Sequence, residues 1–74
     1  MHKLYYFDVV GERATCPDNM GTRLIGPEAA KLQATIIAAE LAHAGSFYRG
    51  CEVCVVDDEG HEIARRPILM NPDA

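Results

Sequence analysis

Basic residues are scarce in this sequence. Seven lysines and arginines stand against eleven acidic side chains, a net charge of −4. Nucleic-acid binding draws on a basic face that displaces counterions from phosphates. No Lys/Arg cluster exists beyond Arg65-Arg66, so the charge argues against nucleic acid as a partner. Long apolar runs are also missing. None approaches the roughly 20 residues needed to span a membrane. The opening Met1-His2-Lys3-Leu4 lacks the long apolar region and small-residue cleavage site of a signal peptide. A cytoplasmic setting is therefore expected. No glycine-rich phosphate loop is present, nor any Ser-His-Asp or Cys-His arrangement with recognisable local context.

Cysteine is sparse and odd in number, at three, which argues against a closed disulfide framework. Cys51-Glu52-Val53-Cys54 has the spacing of a zinc or redox pair, but it runs into Val55-Val56 and reads as a strand. Residues i and i+3 of a strand point to opposite faces. Two sulfurs so placed neither close an unstrained disulfide nor share a metal. A zinc site would need a second ligand pair, and Cys16 and His61 each stand alone. The pair is read as structural, with no metal and no cofactor expected.

What is present is an ordinary globular composition, 49% hydrophobic and 24% charged, over 74 residues. That length allows one small domain with a marginal core of its own. The domain is assigned to residues 1–70, with 71–74 as a flexible tail. Leu4 to Val10 is aromatic and β-branched, a strand whose Tyr5, Phe7 and Val9 face the core. Gly11-Glu12-Arg13 makes a turn, Ala14-Thr15-Cys16 a weak edge strand, and Asp18-Asn19-Met20-Gly21 another turn. Thr22 to Ile25 reads as a short extended lead into a helix.

That helix has Gly26 as N-cap, Pro27 in first position, a body from Ala29 to Ala44 and Gly45 as terminator. Phe47 and Tyr48 follow in a connection that tucks an aromatic under the sheet. A hairpin then joins Glu52–Val56 to His61–Arg66 through Asp57-Asp58-Glu59-Gly60, with Pro67 either ending regular pairing or marking an edge. The expected fold is α+β. One helix packs on a three- or four-stranded antiparallel sheet in the order β-β-α-β-β.

The helix exceeds what such a fold requires. At 100° per residue, Ala30, Ala34, Ile37, Leu41 and Ala44 form one apolar face. Leu32, Ile36, Ala39 and His43 form a second stripe nearly opposite. A helix on a single sheet needs one. The second stripe is therefore assigned as an interaction surface, for a second copy of the chain or another protein. Two further readings belong to other classes. A nucleic-acid-associated protein would use Tyr5, Tyr6 or Tyr48 as stacking rings. An enzyme would use Asp8, His61 or Cys54. The acidic run at Asp57 is read as a solvated turn, because a calcium loop spreads its ligands over about twelve residues.

The elements Tyr5-Tyr6-Phe7-Asp8-Val9, Asp18-x-x-Gly21, Glu28-Ala29-Ala30 and Val53-x-Val55-x-Asp57-x-x-Gly60 have a familiar combination. The chain resembles, over residues 4 to about 69, a family of short proteins of rhizobia-like alphaproteobacteria classed as a domain of unknown function. The resemblance implies the β-β-α-β-β layout and a cytoplasmic bacterial setting. It brings no catalytic residue. The additional cysteines and Pro67 depart from the family's usual pattern.

Overall fold

The aromatic opening run forms β1 (Lys3–Val10), the strand on which most of the sheet is built. In the computed structural model, residues 2–12 and 15–69 are described. Arg13, Ala14, Met70 and the expected tail 71–74 lie outside the described residues. After β1 come β2 (Thr15–Cys16), β3 (Thr22–Leu24), α1 (Pro27–Ala42), a 3₁₀ turn (Gly45–Tyr48), β4 (Glu52–Asp57) and β5 (Glu62–Pro67). Every strand pair is antiparallel. The sheet runs β2-β1-β4-β5, with β3 also pairing β1.

The sheet thus has five strands in the order β-β-β-α-β-β, not three or four in the order β-β-α-β-β. The difference lies in Thr22–Leu24, read above as an extended lead-in. Three residues are too few to show an alternation, and what makes them a strand is their partner. Tyr5 faces Thr22 and Lys3 faces Leu24 on the outer edge of β1. Farther along the same edge, Val9 faces Cys16 of β2.

Between these two short strands the edge of β1 has a gap at Phe7. Its N–H points away from β4 and donates to Asp18 Oδ2 at 3.1 Å. Asp18 Oδ1 accepts from Met20 N and Gly21 N, both at 3.1 Å, closing a turn. The backbone N of Asp18 donates to Asp8 Oδ1 at 2.8 Å. One carboxylate therefore ends the β2 excursion and fills the gap in the ladder. Partial burial raises the Asp18 pKa, but the N–H groups of Gly21, Phe7 and Met20 outweigh it and hold the carboxyl below its ordinary value.

The turn lies across the sheet face opposite the helix. Gly21 adopts φ +73°, and a Cβ there would meet Leu4 Cγ and Tyr6 Cε1 at 3.0 Å. Gly60, in the β4–β5 hairpin, has φ +87° but open space around it. Asp57 organises that hairpin as Asp18 organises the first: its Oδ1 accepts from Glu59 N and His61 N at 2.9 and 2.8 Å.

The core lies on the other face. Tyr5 and Phe7 from β1, Val53 and Val55 from β4, and Ile68 beyond β5 meet α1 there. The helix contributes Ala30, Ala34 and Ala38, spaced four apart and all buried. Ile37 and Leu41 flank them as expected. Ala38 joins them unforeseen, and Ala44 is exposed beyond the helix end, because α1 stops at Ala42 with His43 as C-cap. The helix therefore ends two residues before the expected Ala44, and Gly45 opens a 3₁₀ turn. In that turn Tyr48 packs against the core while Phe47 stays 80% exposed.

β5 carries a bulge. Val55 faces Ala64 and Val56 faces Glu62, so Ile63 has no partner and turns its side chain to the core. At the far end, Ile68 N donates to Cys51 O at 3.0 Å. Alternation along the ladder then directs the backbone groups of Arg65 and Pro67 outward. Pro67 has no N–H, and the Arg65 carbonyl accepts from Arg66 Nη1 at 2.9 Å. The open edge is blunted by chemistry that natural sheets use against pairing with other chains.

Two predictions follow from these turns. Gly21→Ala loses about 2 kcal/mol of unfolding free energy, because it adds contact with Leu4 and Tyr6 to the left-handed backbone cost. Gly60→Ala loses about 1 kcal/mol, the conformational part alone. Urea melts compare them, and equal losses would show that the approach of Gly21 to β1 is unimportant. Second, a carboxyl depressed on folding stabilises fully above its unfolded pKa of about 3.9, and that stabilisation fades as pH falls through the folded value. Asp18→Asn should cost about 1–2 kcal/mol at neutral pH and flatten the loss of stability below about pH 4. Urea midpoints at pH 7 and pH 3 measure this; an unchanged acid slope would remove Asp18 as its source.

Candidate functional site

The stripe assigned as an interaction surface lies on the helix face turned away from the sheet. Leu32 is 63% and Ile36 44% exposed, and Ala39 and His43 are exposed beside them. The structure thus brings the four residues onto one outward ridge, with Ala30, Ala34 and Ala38 on the buried side. The local reason is composition. The helix buries Ala30, Ala34 and Ala38, so its close approach to the sheet is made with small side chains. Two of its larger apolar groups remain outside.

Beside this ridge, a groove of about 420 Å³ runs between the C-terminal half of α1 and the end of β5. Its walls are mainly Ala38, Ala39, Ala42, Pro67 and Leu69. Thr35 and Arg66 also line it, as does His43. Arg66 is held in place: Nε donates to Thr35 Oγ1 at 3.2 Å, and Thr35 Oγ1 donates to Lys31 O at 3.2 Å. Arg66 pairs with no carboxylate among the described residues, whereas Arg65 binds both Glu52 and Glu62. The sequence reading missed this groove. Its signal was the second arginine of Arg65-Arg66, which the bulge at Ile63 turns to the helix side.

The cysteines are separated as the alternation argument requires. Cys51 lies just before β4 and packs against the core, while Cys54 faces the other side. Cys54 is buried, and its thiol donates to Glu62 Oε1 at 3.4 Å. The same oxygen accepts from Arg65 Nε at 3.0 Å. Burial pushes the Cys54 thiol pKa up, and Glu62 pushes it further in the same direction. Arg65 and then Cys54, through their hydrogen bonds, hold the Glu62 carboxyl low. A protonated thiol beneath a carboxylate is a poor nucleophile.

The residues of the enzyme reading do not converge. Asp8 faces Cys54 across the β1–β4 ladder, but its Oδ1 is bound by the backbone of Asp18. His61 sits at the hairpin with Nδ1 3.4 Å from Asp57 Oδ2. Backbone bonds from His61 lead the causes that lower the Asp57 pKa. The stacking reading also loses a residue: Tyr5 is 2% exposed in the core and presents no ring to a base. Tyr6 is half-buried on the opposite face, and Tyr48 is half-buried and edge-on to Phe47 at 4.9 Å. Among the described residues no cluster of three or more His, Cys, Asp or Glu side chains could hold a metal ion, and no helix is long and apolar enough to cross a membrane.

With this geometry in place, comparison with known families is informative. Residues 4–69 match the family described as Domain of unknown function (DUF6894). The chain belongs to this family. The match runs from Leu4 in β1 to Leu69, the last described residue, and takes in the helix and the other described strands. The DUF6894 domain is therefore the whole folded unit seen here. No curated protein and no solved structure matches the chain.

The thiols give a direct check on the site. Cys16 is exposed, Cys51 half-buried and Cys54 buried. A disulfide reagent at mild alkaline pH should modify Cys16 first, Cys51 more slowly, and Cys54 only on a timescale set by unfolding. Mass spectrometry of timed samples reads the order. Early modification of Cys54 would contradict its protection by Glu62 and restore it as a reactive group.

Proposed function

We propose that the protein is a small non-enzymatic interaction module that associates with a second copy of itself through the outward ridge of α1. The observation that carries this reading is the exposure of Leu32 and Ile36 one helical turn apart, backed by alanines. Burying the share of these two side chains that is still exposed yields roughly 1.5–3 kcal/mol per protomer. That is a sizeable fraction of the stability of a domain this small.

The sheet supports the same choice by elimination. Its β5 edge is blocked by Pro67 and by the Arg66–Arg65 hydrogen bond. The outer edge of β1 is taken by β2, β3 and Asp18. Association by strand addition is therefore disfavoured. Met20, Ile25, Phe47 and Leu69 are also exposed, but they lie outside the helix and strands or in the 3₁₀ turn, whereas Leu32 and Ile36 stand one turn apart on the helix. Small side chains at Ala39 and Ala29 let a second helix approach closely.

Sedimentation velocity over a hundredfold dilution series tests the proposal. The wild type should dimerise reversibly, and Leu32→Glu should weaken the dimer at least a hundredfold. Its monomer stability should change by less than about 0.5 kcal/mol, as for exposed sites away from special features. A wild type that stays monomeric, or a variant that dimerises equally well, overturns the reading.

A further inference from the structure

We propose that the groove between α1 and β5 is a binding site for a small amphipathic carboxylate, with its acyl chain on the alanine walls and its head on Arg66. The cavity of about 420 Å³ falls in the size range of small-molecule sites. Ala38, Ala39 and Ala42 line it with no polar side-chain atoms, and Pro67 and Leu69 add further apolar lining.

The guanidinium in the lining is that of Arg66. A guanidinium has five N–H donors. Arg66 spends one on Thr35 Oγ1 and one on the Arg65 carbonyl, which leaves three for an incoming anion. Those two bonds also fix the orientation, so little side-chain freedom is lost on binding. The contrast with its neighbour matters. Arg65 has two carboxylate partners and Arg66 has none among the described residues, although the chain carries four more acidic than basic groups.

The head group follows from the count of cations. One fixed guanidinium, with His43 at another point of the lining, matches a monoanion. A phosphate ester would ask for more donors than the lining supplies. The carboxylate is the anion whose two oxygens fit a guanidinium fork and whose charge one arginine balances. Ala39 and His43 belong to both the ridge and the lining, whereas Leu32 and Ile36 stand outside the lining, so Arg66 variants test the groove and Leu32→Glu tests the ridge.

The test is an amide NMR titration of the full chain with hexanoate, octanoate and decanoate, each below its micelle concentration, and with octanol as the neutral match to octanoate. The expected shifts fall at Thr35, Ala39, Ala42 and Arg66. Affinity should rise by roughly two- to fourfold per methylene. Octanol should bind about tenfold more weakly than octanoate. Arg66→Gln should bring octanoate down to the level of octanol, while Arg66→Lys should retain part of the preference. Equal binding of octanol and octanoate to the wild type would overturn the carboxylate assignment without any variant. Shifts confined to other regions, or none at millimolar ligand, would overturn the site. Dimerisation measured on the same samples stands or falls separately.

Discussion

The N–H of Phe7 is the group around which the sheet is organised. It sits at the middle of β1, points away from β4, and would be an unpaired donor on a strand whose side chains are in the core. A buried or half-buried N–H without a partner costs on the order of 1–3 kcal/mol. Two short strands flank it and neither reaches it. Asp18 does. The same carboxylate ties down the turn that lets the chain pass from β2 to β3, so the two strands are held in register by one side chain. Gly21 then follows by necessity, because the turn closes against Leu4 and Tyr6. The Asp-x-x-Gly spacing is thus the trace of a repaired ladder and not of a ligand loop.

A different constraint governs the helix. Among the described residues the core cluster has five buried side chains larger than alanine, Tyr5, Phe7, Val53, Val55 and Ile68, and none of them comes from the helix. A thin core requires a close approach, and α1 supplies it by placing Ala30, Ala34 and Ala38 against the strands. The consequence appears on the opposite side. With alanine inward, much of the apolar content of the helix has nowhere to go but the flanks and the outer face. Ile37 and Leu41 find places at the margin of the core, and Leu32 and Ile36 do not. The outward ridge and the alanine lining of the groove are two results of the same packing choice.

These two constraints explain what could be read from residues alone. The helix, β1 and the β4–β5 hairpin announce themselves through long periodic runs or a complete turn signal. So does the separation of Cys51 from Cys54, which depends only on the period of two. β3 was hidden because its pairing is dictated by Asp18, a contact eleven residues from Phe7. The helix end was misplaced because alanine favours helix wherever it stands, and Ala44 carried no stop signal of its own. Ala38 was missed for a related reason: a stripe drawn through large side chains overlooks the small ones that touch first. The groove was least legible, since the bulge at Ile63 had to be known before Arg66 could be assigned to the helix side.

The edges of the sheet decide where a partner can attach. A small two-layer domain has three kinds of unpartnered surface: strand edges, the open sheet face and the outside of the helix. Here Arg66 spends a donor on the outward carbonyl of Arg65, and Pro67 removes the next outward N–H. The open sheet face is crossed by the Asp18–Gly21 turn and by the charged group of Glu52, Glu62 and Arg65. A partner on that face would have to desolvate these ion pairs. On the helix the corresponding ion pair, Lys31–Glu28, lies in the first turns, and Ile36 and Ala39 are beyond it. Arg66 is the hinge of this arrangement: by turning back to cap the edge and brace Thr35, it closes the sheet to other strands and sets a fixed cation at the mouth of an apolar groove. One side chain thereby blunts the backbone ladder and leaves its remaining donors on the helix side of the molecule.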